Sequence, residues 1–431
     1  MDKSNRTILQ RSRLEVWGGI ECTINRVGNE FRDQLQYSGH YSRRTDIRDI
    51  AQLNISSLRY PVLWERHQLS ESGSIDWRWV ERQLNEIREN GITPIVGLLH
   101  HGSGPEFTNL LDPAFPEKFA KYAGMVAEKF PWINQYVPIN EPLTTARFSA
   151  LYGHWYPHEQ SPSAFAKALI NQLAGTVLAM QNIRKINPHA QFIQTEDITK
   201  VHSEPSLSYQ ADFENQRRWL TFDLLYGKVT PSTPMWTYLL SVGITRGELE
   251  FFIDNSCEPD MLGLNYYVTS ERYLDSNVEQ YAPELRGGNG IDEYVDTEAM
   301  RVGKSAGPGY LMDEIWERYK KPMAMTEVQI ACTSDEQIRW FADIWEACTE
   351  ASARGIDIRA VTSWSLLGAY DWNSLLTKHD FVYECGAFEV NNGSISLTEL
   401  GKAISSIGET GEFNYPEMIS TGWWSNRVEV Y

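Results

Sequence analysis

The sequence of 431 residues contains no uninterrupted apolar stretch near the roughly 18 residues a membrane span needs, so no membrane partner is expected. Cysteine is scarce. Cys22, Cys257, Cys332, Cys348 and Cys385 are odd in number, widely scattered and without a CxxC spacing, which excludes a disulfide framework and a zinc ribbon. Free thiols in a reducing compartment follow, and residues 1–11 carry no apolar core of a secretory signal, so the expected location is cytoplasmic. Positive charge is also short: 39 Lys and Arg face 57 Asp and Glu, a formal charge of −18, which argues against a nucleic-acid partner held by its phosphates. No internal repeat, low-complexity tract or domain linker interrupts the chain, and nothing in it indicates an oligomeric state.

What is plentiful is aromatic surface. With 15 Trp, 21 Tyr and 16 Phe, most rings are expected in the core or at interfaces, but a Trp surplus is also what a pocket that stacks flat, weakly polar ligands would require.

Short segments rich in β-branched residues alternate with amphipathic helical stretches, the pattern of β/α units around a parallel sheet. Strands are predicted at 15–22, 57–63, 93–99, 135–139, 191–195, 261–267, 322–326 and 358–365, and helices at 77–90, 116–130, 163–186 and 335–354. In the first helix Ile75, Trp79, Leu84 and Ile87 fall roughly on one face, and Gly91 stops it. Eight strands with helices between them predict a single-domain (β/α)8 TIM barrel over 1–431. Two connections exceed a plain βα loop. One, near 196–259, is expected to hold its own helices, including an apolar one at 212–226; the other, near 270–310, is glycine-rich and reads as a lid or pocket wall. Gly287, Gly288 and Gly290 do not make a phosphate cradle, because the Lys-Ser/Thr and the strand-to-helix context are missing.

Function in such barrels collects at the C-terminal strand ends. There the sequence places Glu21, Arg59, His100, Asn140 with Glu141, Glu196, Asn265 with Tyr267, Glu327, Trp364, Asp371 and Trp372. One Arg, several carboxylates and several rings at one mouth suit a sugar: rings take its apolar face, carboxylates and amides take its hydroxyls, and two carboxyls do the chemistry. Pro142 is expected to hold Glu141 extended at the exit of its strand. His100 and His101, as successive strand residues, should point to opposite faces and so fail to share a metal; no metal or cofactor is expected.

In register along nearly the whole chain, these segments resemble glycoside hydrolase family 1, the retaining β-glucosidases. Val16-Trp-Gly-Gly19 resembles its first strand, Ser57-Leu-Arg-Tyr-Pro61 with Trp64 its second, and Leu98-Leu-His100 its third. Asn140-Glu-Pro142 matches its acid/base motif, Met261-Leu-Gly-Leu-Asn-Tyr-Tyr267 its sixth strand, and Thr326-Glu327 the start of its nucleophile motif. Trp364-Ser-Leu-Leu367 with Asp371-Trp372 corresponds to its substrate segment. The resemblance implies Glu327 as nucleophile, Glu141 as acid/base, and Arg59 and Tyr267 as supports that keep Glu327 ionised. It implies His100, Asn140, Asn265, Trp364, Asp371 and Trp372 as sugar contacts, with Glu21 and Asn25 in the region of a further one. Asn140 is expected at the 2-hydroxyl, and Trp364 as the stacking floor.

Three departures stand out. Val328-Gln329 replaces Asn-Gly after the nucleophile, Asp371 replaces Glu, and Glu21 and Asn25 occupy a region where the family has Gln. The expected activity is hydrolysis of a β-glucoside or related β-glycoside. Transglycosylation through the same intermediate and a non-catalytic sugar-binding barrel are the alternatives. Ser374 and Lys378 do not reproduce the spacing of the family's phosphate-binding branch.

Overall fold

The computed structural model describes residues 13–391, 393–413 and 422–425; the opening segment, on which the expectation of no leader rests, lies outside them. Eight parallel strands close a barrel: β1 (Glu15–Gly19), β2 (Ser57–Pro61), β3 (Thr93–His100), β4 (Gln135–Asn140), β5 (Gln191–Asp197), β6 (Met261–Tyr266), β7 (Met323–Val328) and β8 (Ile358–Ser363). Each pairs with its sequence neighbours, and β1 closes the ring against both β2 and β8. The strand period of two explains how the barrel fills. Trp17, Ile95, Val137, Ile193, Ala324 and Ala360 form a separate inner cluster, while their neighbours Val16, Val96, Tyr136 and Phe192 join the larger core under the helices.

The helices follow their apolar faces. Arg78–Glu89 buries Val80, Leu84 and Ile87, with Ile75 and Trp79 partly buried against the same core. Gly91 after it has φ +75°, a left-handed position that glycine adopts without a Cβ penalty. Phe115–Lys129, Pro162–Ile186 and Ser334–Arg354 match the other three predicted helices to within a residue or so. Among the described residues no helix is long and apolar enough to cross a membrane.

The insertions differ from expectation. The apolar segment at 212–226 divides into two helices, Ser208–Arg217 and Leu220–Leu225. The glycine-rich connection is not an isolated wall: Gly287–Gly288, Glu293–Glu298 and Glu271–Asp275 join Lys200–Ser203 of the first insertion in a four-stranded sheet. Gly287 and Gly288 pair antiparallel with Tyr294 and Glu293, so they serve a hairpin. All five cysteines are free.

Candidate active site

Arg59 lies on β2, and its guanidinium joins three strands at the mouth. Nη1 donates to Glu327 Oε1 at 2.8 Å and to the Thr326 carbonyl at 2.7 Å, while Nη2 donates to Asn140 Oδ1 at 2.8 Å. Tyr267, just beyond β6, donates its hydroxyl to Glu327 Oε2 at 2.5 Å. Both oxygens of Glu327 are therefore held. A register shift between Met325 and Glu327 sets Glu327 opposite Asn265, a bulge that re-aims the side chain at the end of its strand. Burial raises the Glu327 carboxyl above its usual range; Arg59 and the hydrogen bonds from Tyr267, Arg59 and Asn265 work against that rise.

Glu141 has a different environment. Its Oε1 accepts from Asn265 Nδ2 at 2.5 Å, and Asn265 Oδ1 in turn accepts from the Thr326 hydroxyl at 2.7 Å. Its nearest basic group is His101 Nε2, 3.8 Å from Oε2. Burial, then the charge of Glu327, push Glu141 well above the usual carboxylate range. The two carboxyls are both buried, yet one has a guanidinium and the other a neutral amide.

Glu141 is not extended, as Pro142 had suggested. It has φ 45° and ψ 60°, because β4 ends at Asn140 and Pro142 opens the short helix Pro142–Ala146, so one residue makes the whole turn. A left-handed Glu is a strained position, of order 1–3 kcal/mol, and it sits at the acid/base candidate. The pre-proline preference is a local bias that this turn overrides.

The histidines also correct the sequence reading. β3 stops at His100, and His101 has φ +53°, so strand alternation no longer applies and both rings reach Asn140. Asn140 Nδ2 lies 3.3 Å from Nε2 of each imidazole. Since Arg59 has only donors, it fixes which Asn140 atom is oxygen, and the amide nitrogen then requires an unprotonated Nε2 on both rings. Burial, with the charge of Arg59 adding to it, lowers His100 well below its usual value and brings His101 to about 3, so both rings are neutral. Thr195 donates to Asn140 Oδ1 at 2.8 Å, and His101 Nδ1 bonds Thr145 Oγ1 at 2.9 Å. Every hydrogen-bonding position of Asn140 is thus taken. Among the described residues no three His, Cys, Asp or Glu side chains gather as a metal site.

The remaining expected contacts surround this centre. The Trp364 ring stacks on His100 at 5.3 Å and carries Arg59 Cζ 4.6 Å from its centroid. A Cβ on Gly19 would stand 2.4 Å from Trp364 Cε3, which explains glycine in the first strand. Trp372 meets His101 edge-on at 5.6 Å. Asp371 accepts from the Val382 N–H at 2.8 Å through Oδ1, whereas its buried Oδ2 has no hydrogen-bond partner among the described residues. Asn25 is fully buried with neither amide atom paired. Glu21 lies past the end of β1, not within it; its Oε1 accepts from the Thr23 N–H at 2.9 Å. Burial lifts Glu21 to about 7, against the Thr23 bonds and with the Glu327 charge. Unpaired buried polar atoms demand partners, and sugar hydroxyls would supply them.

The departures from the family pattern mostly face away. Val328 packs into the outer core, and Gln329 reaches toward the Cys385 carbonyl at 3.4 Å, so neither replaces a partner of Glu327. Ser374 spends its hydroxyl on the Asp371 carbonyl at 3.0 Å, and Lys378 is exposed. Sequence reasoning missed His101, Thr195 and Thr326 as site residues. The doubled histidine was the one visible signal; the threonines have none.

The closed parallel barrel thus holds at its mouth two buried carboxyls in unlike surroundings. Residues 35–392 match the model of Glycosyl hydrolase family 1, and the chain belongs to that family and is an O-glycoside hydrolase. That match begins beyond Glu21 and Asn25, the segment where the family pattern is not followed. The chain is 20% identical over 377 residues to β-glucosidase 47 of Arabidopsis thaliana, spanning 78% of this chain and 69% of that protein. It is 22% identical over 348 residues to a 6-phospho-β-glucosidase of Dickeya chrysanthemi, 74% and 73% of the two chains. Among solved structures it is similar to the family 1 β-glucosidase of Thermotoga maritima, with a TM-score of 0.74 at 16% identity over 93% of this chain and 98% of that one.

Proposed function

We propose that this chain is a retaining β-glycosidase acting on a β-glucoside or related β-glycoside, with Glu327 as nucleophile and Glu141 as acid/base. The observation that carries the reading is the asymmetry between the carboxyls. A guanidinium and a phenol on Glu327 favour the ionised form that attacks the anomeric carbon. Burial and that same charge favour the proton on Glu141. Since Oε1 of Glu141 accepts from Asn265, its proton belongs on Oε2, ready for the departing oxygen. Once the glycosyl ester forms, the charge on Glu327 is gone, and Glu141 releases its proton more readily and activates water.

Asn265 supports retention over inversion. Its amide nitrogen donates to Glu141 while its oxygen accepts from Thr326, the residue before Glu327, which draws the two strand ends together as the closer spacing of a retaining pair, about 5–5.5 Å, would need. Beside its expected contact with the sugar, Asn265 would brace the two strand ends. Known complexes of the Thermotoga β-glucosidase with deoxynojirimycin fit a sugar-shaped occupant. The test is a panel of 4-nitrophenyl β-glycosides followed by proton NMR. The first sugar released should be the β-anomer; the α-anomer appearing first would overturn retention, and no release from any member would overturn turnover itself.

A further inference from the structure

Glu196, one residue before the end of β5, is buried, and both of its carboxyl oxygens are engaged. Oε2 accepts from the Leu143 N–H at 3.0 Å and from the Thr221 hydroxyl at 2.7 Å. Oε1 accepts from the Thr144 hydroxyl at 3.1 Å and from the Thr144 N–H at 3.4 Å. The first turn of a helix leaves its N–H groups without partners, and the side chain of the residue before it ordinarily covers one of them. Before the helix Pro142–Ala146 that residue is Glu141, whose carboxyl is held by Asn265 instead and makes no bond to the helix. Pro142 has no N–H to cover. Glu196 reaches across from the adjacent strand and covers the next two.

The rest of the turn is held as closely. The Glu141 N–H donates to the Thr195 carbonyl at 3.2 Å, the Glu141 carbonyl accepts from the Thr145 N–H at 2.8 Å, and the Pro142 carbonyl accepts from Gln172 Nε2 at 3.0 Å. A left-handed Glu persists where surrounding contacts over-determine it, and these contacts do so at φ 45° and ψ 60°. Removing the Glu196 carboxyl would leave two buried N–H groups and two hydroxyls without their acceptor at the residues that directly follow the turn. Burial raises this carboxyl, and the bonds from Thr221, Leu143 and Thr144 work against that rise.

We propose that Glu196 is a positioning residue for the acid/base: from the neighbouring strand it fixes the turn at Glu141 and thereby the point at which that carboxyl meets the departing oxygen. This rests on the reading of Glu141 as acid/base. Glu196 acts through Glu141 and transfers no proton itself. A displacement of about 1 Å at a reacting group can cost about 10²-fold in rate. Such a loss falls only on substrates whose leaving group needs the proton.

The test compares kcat/KM for the 2,4-dinitrophenyl and benzyl β-glycosides of the sugar that the 4-nitrophenyl panel selects, in the parent, Glu196→Ala, Glu196→Gln and, as reference, Glu141→Ala. This ratio reports formation of the glycosyl ester, in which dinitrophenolate departs without a proton and benzyl alcohol requires one. Glu196→Ala should lose at least about tenfold on the benzyl glycoside and less than about twofold on the dinitrophenyl one. Glu196→Gln should recover most of the benzyl loss, because its amide oxygen can take the Leu143 and Thr221 bonds while the Thr144 hydroxyl turns to accept from its nitrogen. Equal losses on both substrates, no loss on either, or a Glu196→Gln variant as impaired as Glu196→Ala would each overturn the proposal. Where Glu196→Ala fails to fold, Thr221→Val removes the shortest bond to Glu196 and leaves Glu141 untouched. It should show the same imbalance at about threefold or more, and balanced losses would overturn the proposal. No imbalance in Glu141→Ala would instead overturn the acid/base reading, so the two failures are distinguishable.

Discussion

Arg59 Nη1 stands 2.8 Å from Glu327 Oε1, and that one contact distinguishes two carboxyls that burial alone would make alike. Glu141 has no such cation: among the described residues its partners are the Asn265 amide and, at 3.8 Å, an unprotonated imidazole. The acid limb of the pH profile should then belong to Glu327.

Replacing Arg59 with Met tests this. Arg59 lowers Glu327, so its removal raises that carboxyl, and the acid limb of kcat/KM should move to higher pH. Tyr267→Phe should move it the same way. A limb that stays in place or moves to lower pH would assign it to another group.

Glu141→Ala should reduce turnover of glycosides with poor leaving groups by about 10²–10⁴-fold, while activated aryl glycosides still form the glycosyl ester and then stall at its hydrolysis. Azide should restore part of the rate with the activated substrates, because a small anion can enter the vacated space and attack the glycosyl ester. A variant as active as the parent on poor leaving groups would remove Glu141 from the acid/base role.

The saturation of Asn140 makes a prediction about ligand linkage. His101→Phe leaves one buried N–H of Asn140 without its acceptor, at a cost of about 1–3 kcal/mol in the free protein. On the proposed reading, a sugar-shaped inhibitor such as deoxynojirimycin would supply a hydroxyl there. Denaturant unfolding should show the variant less stable than the parent alone and the gap narrowed when both are saturated with inhibitor. An unchanged gap would mean that the ligand does not take the place of His101.

Outside the site, Glu65 is buried, with Oε1 accepting from the Gly104 N–H at 3.0 Å and Oε2 unpaired. Burial pushes its carboxyl up to about 8. Because the folded state binds this proton more tightly than the unfolded chain, its contribution is complete below about 4.5 and is lost as pH rises through about 8. Glu65→Gln cannot ionise, so its stability should fall less than the parent's between pH 6 and 9, measured by urea midpoint. Parallel losses in the two proteins would contradict the assignment.

The barrel was legible because its strands are short β-branched runs separated by helices of clear period, as at 93–99 and 77–90. The two carboxyls were legible as strand-end residues, but Arg59 and Tyr267 gained their roles from family resemblance, since nothing local to either residue points at Glu327. Glu141's left-handed turn was hidden because a pre-proline tendency is weak beside the demand to leave a strand and start a helix in one step. His101 was hidden for the same reason: alternation holds only while the strand lasts. The sheet joining Lys200–Ser203 to Glu271–Asp275 depends on pairing across about 70 residues, which no local pattern encodes.

Attack of Glu327 on the sugar would leave an ester on that residue that a slow substrate can trap. Incubation with a 2-deoxy-2-fluoro-β-glucoside bearing an activated leaving group, followed by proteolysis and mass spectrometry of the labelled peptide, tests it directly. One fluoroglucosyl adduct is expected, on Glu327. An adduct on Glu141 or Glu21, or steady turnover without any adduct, would contradict it.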